Sequence, residues 1–242
     1  MRRNIWSLEA TRGAPPMRIA RWGHFGRPVL LFPSAGADYL EVERFGLIAA
    51  AAELITAGRI KVYSVDGAAA RAWLQRGGDS ESGHAARRTE DERIDGIVVP
   101  HVRRDCQSSD IEIIAAGAAL GAYSAVAMLC RAPQTFCAAL GMSGVFERLG
   151  YLRGPLERTS GTTAALPALA TLVAAAPAGA RARQVRLAVA RGDFEDPAAT
   201  ARVAETLRGA GIPHRVELWG EEHAHSWSTW RAMLPQLLAE LT

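Results

Sequence analysis

Three short stretches of this chain hold residues whose types and spacing could do chemistry. Gly192–Pro197, GDFEDP, gathers the carboxylates Asp193, Glu195 and Asp196. Gly220–Trp227, GEEHAHSW, brings in two imidazoles, His223 and His225. Gly117–Gly121, GAALG, is a glycine-flanked pentapeptide centred on Ala119. A histidine can take the proton of a hydroxyl when one ring nitrogen faces that hydroxyl and the other faces a carboxylate, which fixes the tautomer. The pentapeptide is a frame for such a hydroxyl, because G-x-S-x-G marks a sharp strand-to-helix turn with a serine at its tip. Its glycines let the strand and helix backbones approach where a side chain would not fit. Here the tip is alanine. The frame for nucleophilic acyl transfer is present and the attacking oxygen is missing.

Each stretch also has a plainer reading. A Gly-x-x-x-Gly pair in an apolar run can be a contact face between membrane helices, and Ile113–Cys130 carries no charge. That run is rich in Ala and Gly and barely reaches the roughly 20 residues a span needs, so no membrane span is expected. A small-residue helix packed on a sheet for structural reasons is the stronger alternative. An acidic loop can be a solvated turn or a helix cap. His-x-His can bind a metal, but a zinc site needs a third ligand, and no other cluster supplies one; neither metal nor cofactor is expected. What favours catalysis is order, since nucleophile position, acid and histidine follow one another along the chain, each after an apolar run.

The positioning elements alternate. Strands are expected at Arg27–Pro33, Ile60–Val65, Ile111–Ala116, Phe136–Met142, Val185–Ala190 and Arg215–Trp219. Between them lie a Gly/Ser/Ala loop at Ser34–Asp38, an amphipathic stretch at Leu40–Ala57 and a polar loop at Arg76–His84. Ala85–Arg104 reads as a helix that Pro100 should kink or shorten. Helices follow at Gly121–Arg131 and Pro197–Arg208, the latter stopped by Gly209 and Gly211. From Trp227 to Leu241 apolar residues recur at three-four spacing and give the last helix one buried face. Strands alternating with helices predict an α/β domain with a mostly parallel sheet covered on both faces. The Ala/Pro/Gly/Thr-rich segment 146–183 has one short helix near Leu166–Ala175 and is either a loose excursion or a lid.

At 242 residues the chain suits a single domain, 1–242, with a full core. The formal charge is +3, and its cations are arginines except for Lys61, scattered among acidic residues. A nucleic-acid surface needs clustering on one face, so no nucleic-acid partner is expected. Cys106, Cys130 and Cys137 have no metal spacing and cannot all pair, which fits a reducing compartment. MRRNIWSLEA lacks the apolar core of a secretory signal, and a cytoplasmic location is expected.

The chain resembles the α/β-hydrolases of the putative-esterase group, small cap-less enzymes of the esterase/lipase superfamily. The resemblance runs through LLFPSAGADYLE (Leu30–Glu41), VPHVRRDC (Val99–Cys106), GAALGAYSA (Gly117–Ala125), FEDPAATARVAETLRGAGIPHRVELWG (Phe194–Gly220) and HSWSTWRAMLP (His225–Pro235). It implies a nucleophile at position 119, the histidine at His225 and the acid at Glu195, with Asp193 and Asp196 as alternatives. It also implies an oxyanion hole from the backbone N–H of Leu120 and a second from Ser34 or Ala35. His225 and the acid should lie about 2.6–3.2 Å apart. Trp73 and Tyr123 are candidate pocket residues. The chain departs from the group at Ala119 for serine, Ser124 for histidine and Ser226 for aspartate.

The resemblance implies an ester or acyl hydrolase of the serine type acting on a small molecule, inactive here because Ala119 replaces the nucleophile, by nature or by design. The alternatives are a natural pseudo-hydrolase that binds a ligand or partner, and an enzyme that uses His225 as acid or base without a covalent step.

Overall fold

The computed structural model describes residues 2–9, 16–35, 37–67, 88–146 and 169–242. Eight strands form one sheet: β1 (Arg3–Leu8), β2 (Met17–Trp22), β3 (Arg27–Phe32), β4 (Ile60–Val65), β5 (Ile113–Ala118), β6 (Phe136–Met142), β7 (Gln184–Val189) and β8 (His214–Leu218). Their spatial order is β1-β2-β4-β3-β5-β6-β7-β8. The β1–β2 and β2–β4 pairs are antiparallel and every other pair is parallel. The central strands are continuous apolar runs because helices cover both faces; every residue of β4 and β5 is buried.

β1 and β2 have no counterpart among the strands expected from sequence. β1 is an edge strand whose residues alternate between exposed and half-buried, and β2 carries Arg18 and Arg21 among its apolar positions. Such arginines interrupt the apolar signal. The amphipathic stretch from Leu40 is three short helices, α1 (Glu41–Arg44), α2 (Leu47–Ala50) and α3 (Ala52–Thr56). Gly46, at φ 80°, breaks the first from the second.

Residues 88–93 are helical, Ile94–Val98 form a π turn and α4 (Val99–Asp105) continues from it. The chain does not stop at Pro100, which occupies the first turn of α4. A wide turn just upstream relieves the clash between a proline ring and the carbonyl one turn back. The remaining helices are α5 (Leu120–Arg131), α6 (Leu169–Ala174), α7 (Pro197–Gly209) and α8 (Trp227–Ala239). α5 packs on β5 and β6, and α7 on β7 and β8. No described helix is long and apolar enough to cross a membrane.

One polar cluster ties the antiparallel side of the sheet to α4. Asp105 accepts hydrogen bonds from Arg21 at 2.6 Å and from the Tyr63 hydroxyl at 2.5 Å, and pairs with the Lys61 ammonium at 2.9 Å. Burial alone would raise the Asp105 pKa; these three donors outweigh it and hold it at about 2.

Candidate active site

β5 ends at Ala118 and α5 begins at Leu120, so Ala119 alone turns the chain, with φ 52° and ψ −118°. Positive φ on a residue with a Cβ costs about 1–3 kcal/mol and persists only where the surroundings impose it. They do so through the backbone: the Ala119 N–H donates to the Met142 carbonyl at 3.0 Å, and the Ala119 carbonyl accepts from Val145 at 3.1 Å. The glycines are needed as the sequence suggests. A Cβ on Gly117 would lie 2.4 Å from the Gly121 carbonyl carbon, and one on Gly121 would lie 2.5 Å from the Phe32 oxygen.

Two of the three amides expected to form an oxyanion hole are already engaged. The Leu120 N–H donates to the Ser34 carbonyl at 3.0 Å. The Ser34 N–H donates to Glu41 Oε2 at 2.7 Å, and the Ser34 hydroxyl to Glu41 Oε1 at 2.9 Å. Leu120 and one of the two residues expected to supply the second donor, Ser34, are thus engaged within the chain. The cause is Glu41, 5 % exposed, whose carboxylate grips Ser34 and turns its carbonyl onto the helix start. Burial raises the Glu41 pKa, against the Ser34 hydrogen bonds that lower it. Ala35 is exposed, and its N–H has no bond among the described residues.

Glu195 lies in the loop after β7, with its side chain 1 % exposed, and His225 in the loop after β8. His225 Nδ1 faces Glu195 Oε1 at 3.9 Å. The two groups meet, but outside hydrogen-bond distance. Each is anchored elsewhere. Glu195 Oε2 accepts the Ala190 N–H at 3.4 Å; the His225 N–H donates to the Asp193 carbonyl at 2.9 Å, and its ring meets Trp230 edge-on at 5.1 Å. Glu195 Oε1 and Ser143 Oγ are both buried without a hydrogen bond. Burial raises the Glu195 pKa, offset in part by the nearby Ser143 hydroxyl and the Ala190 N–H. Burial lowers the pKa of His225, keeping the ring neutral and able to accept a proton. Nδ1 faces the acid, so Nε2 is the nitrogen left for a substrate or nucleophile.

The other expected residues stand apart from this pair. Asp196 caps α7 by accepting the Ala199 N–H at 2.8 Å. Asp193 is exposed and contributes only its carbonyl. His223 stacks edge-on against Trp219 and lies 3.5 Å from Glu222. Ser124 Oγ bonds the Leu120 carbonyl within α5 at 3.3 Å. Tyr123, expected at a pocket, is enclosed in the core at 2 % exposed, because α5 is buried along almost its whole length. Trp73 and residues 147–168 of the expected excursion lie outside the described residues. Among the described residues no three His, Cys, Asp or Glu side chains group as a metal site would require.

Sequence reasoning missed Glu41 and Ser143. Glu41 sits seven residues beyond Ser34 on α1, a separation with no periodic meaning, so only its place in the LLFPSAGADYLE stretch pointed to it. Ser143 follows β6 with φ 46°, and nothing in MSG announces a buried hydroxyl beside an acid.

No protein-family model matches the sequence, and no curated protein matches it. Solved structures do. A ferulic acid esterase aligns over 100 % of this chain and 97 % of its own at TM-score 0.67 and 14 % identity. An S-formylglutathione hydrolase from Agrobacterium tumefaciens aligns over 98 % and 93 % at TM-score 0.70 and 13 % identity. The chain has the α/β-hydrolase fold. A substrate-bound fluorophosphonate-binding serine hydrolase, FphF of Staphylococcus aureus, agrees at TM-score 0.68 and 13 % identity, over 99 % of this chain and 98 % of its own. Identities this low carry the fold and leave the chemistry to the residues.

Proposed function

We propose that this chain is built as a carboxylic-ester (acyl) hydrolase of the serine type, silent because Ala119 fills the nucleophile position. It then binds a small ester or acyl compound without turning it over. The observation that carries the reading is the pairing of a half-buried His225, whose pKa burial lowers, with the enclosed Glu195 carboxylate, each on the loop after a successive strand. With a hydroxyl at 119, His225 Nε2 would take its proton as the oxygen attacks the acyl carbon. Glu195 would hold Nδ1–H and stabilise the imidazolium, and the proton would pass to the leaving alkoxide. No cofactor enters this sequence. The three thiols, all unpaired, support a cytoplasmic setting.

The test is Ala119→Ser. In serine hydrolases, loss of the serine costs roughly 10⁶-fold in turnover and leaves some 10³–10⁴-fold over water. The serine variant should gain p-nitrophenyl ester hydrolysis by about 10³-fold or more and should label with a fluorophosphonate. Both gains should vanish on adding His225→Ala. A folded variant that gains neither on a broad ester panel overturns the hydrolase reading.

One observation favours a second reading, a natural pseudo-hydrolase that binds a ligand or partner. The Ser34 carbonyl occupies the Leu120 N–H, where an active enzyme would keep a donor aimed at developing negative charge. On this reading Ala119→Ser leaves the site inert, and adding Glu41→Ala, which releases Ser34, does not rescue it.

A further inference from the structure

We propose that two copies of this chain pair through β8, antiparallel and about a two-fold axis at Val216, joining their sheets into one. β8 ends the sheet, and the ladder to β7 fixes which of its backbone groups are used. Val185 N–H donates to the Pro213 carbonyl and Trp219 N–H to the Val189 carbonyl, both at 2.9 Å. With Val185 opposite His214 and Val189 opposite Leu218, the parallel pattern directs Pro213, Arg215, Glu217 and Trp219 towards β7. His214, Val216 and Leu218 therefore turn their amides and carbonyls outward. Those groups have no backbone partner among the described residues.

The side chains make this edge complementary to itself. Pairing about Val216 sets Val216 against its own copy as a hydrogen-bonded pair and His214 against Leu218. Arg215 and Glu217 then oppose each other twice, in the non-hydrogen-bonded positions where cross-strand side chains come closest. Arg215 is 58 % exposed; within the chain its Nη1 pairs with Glu240 Oε2 at 3.3 Å and its Nε is 3.7 Å from Glu217 Oε1, and its solvent-facing side is left to reach across. That Glu217 oxygen is buried with no hydrogen-bond partner, an arrangement that a second guanidinium would relieve. Val216 and Leu218, 38 % and 48 % exposed, share the opposite face and would be covered together. Charges on an edge strand ordinarily keep other strands away; here their order along the strand repels a shifted register and welcomes one symmetric copy. The other edge lacks this property, since β1 carries Arg3 as its only charge.

Sedimentation velocity on the full chain over a concentration series tests the proposal, and a dimer whose population rises with concentration is expected. Arg215→Glu places like charges opposite each other and should shift the protein to monomer. The double variant Arg215→Glu/Glu217→Arg restores the opposition with its sense reversed and should recover the dimer. Val216→Pro removes an outward amide while leaving the β7 ladder complete, and should abolish pairing if the charge variants fold poorly. A wild-type chain that stays monomeric throughout overturns the proposal. So does a dimer that survives both Arg215→Glu and Val216→Pro.

Discussion

Asp105, at the end of α4, and Glu195, in the loop after β7, are both largely enclosed carboxylates, and they are treated in opposite ways. Asp105 meets Arg21, Lys61 and Tyr63, and these donors hold its pKa at about 2 against burial. Glu195 meets one long amide contact and a neutral imidazole at 3.9 Å, with one oxygen unpartnered, and burial raises its pKa. A fully satisfied buried acid joins elements together. An incompletely satisfied one costs stability, and under the proposed function Glu195 bears that cost beside a histidine for the sake of its reactivity.

The sharpest way to break this contrast is through activity. In the Ala119→Ser background, Glu195→Gln should lower turnover by about 10²–10⁴-fold, because the histidine loses the acid that fixes its tautomer. Asp105→Asn in the same background should leave turnover of the folded fraction unchanged. Equal losses in the two variants, measured by steady-state kinetics, would erase the distinction.

Stability should separate them by sign. Asp105→Asn strips the counter-charge from Arg21 and Lys61 and should destabilise the fold by about 3 kcal/mol in denaturant unfolding. Glu195→Gln should stabilise it at neutral pH by about 1 kcal/mol, since a carboxylate oxygen without a partner is no longer forced to be charged. Acid pH sharpens the test. The folded state binds the Glu195 proton more tightly than the unfolded chain does, so stability falls as pH rises through the ordinary value of 4.5 and the raised folded value. The advantage of Glu195→Gln should therefore shrink as pH is lowered towards 4.5. Asp105 runs the other way: its contribution is present above the ordinary 3.8 and is lost as pH falls towards about 2.

The smallest effect should come from Asp196, next in sequence to Glu195. Asp196→Ala removes the cap of α7 and should cost about 1 kcal/mol, with no change in the turnover of the Ala119→Ser variant. A large loss of turnover would transfer the role of acid to the cap residue.

Much of the fold was legible because its signals are local. β4 and β6 are apolar runs bounded by turn residues, and their limits follow directly from Ile60–Val65 and Phe136–Met142. Gly117 and Gly121 declared their turn because no other residue fits it. β1 and β2 were illegible, since Arg21 reads as a surface residue until Asp105, far along the chain, gives it a partner. The residues themselves did not choose Glu195 over Asp193 and Asp196; only the resemblance favoured it. The choice depends on which of three neighbouring carboxylates turns inward, and an N-cap and a solvent-facing loop decide that in space. Glu41's hold on Ser34 is likewise a contact across a loop that no spacing rule encodes.

The turn at Ala119 is maintained by Met142, Val145 and two glycines, none of which depends on the side chain at its tip. Every alanine codon becomes a serine codon by one change at its first base. A lineage carrying this sequence is therefore a single point mutation from a hydroxyl at the tip of a turn already shaped for it. On the proposed function, a serine-to-alanine change at this tip is a reversible step, whereas loss of Gly121 would not be, because the strand and helix would have to move apart before any later change could restore the turn.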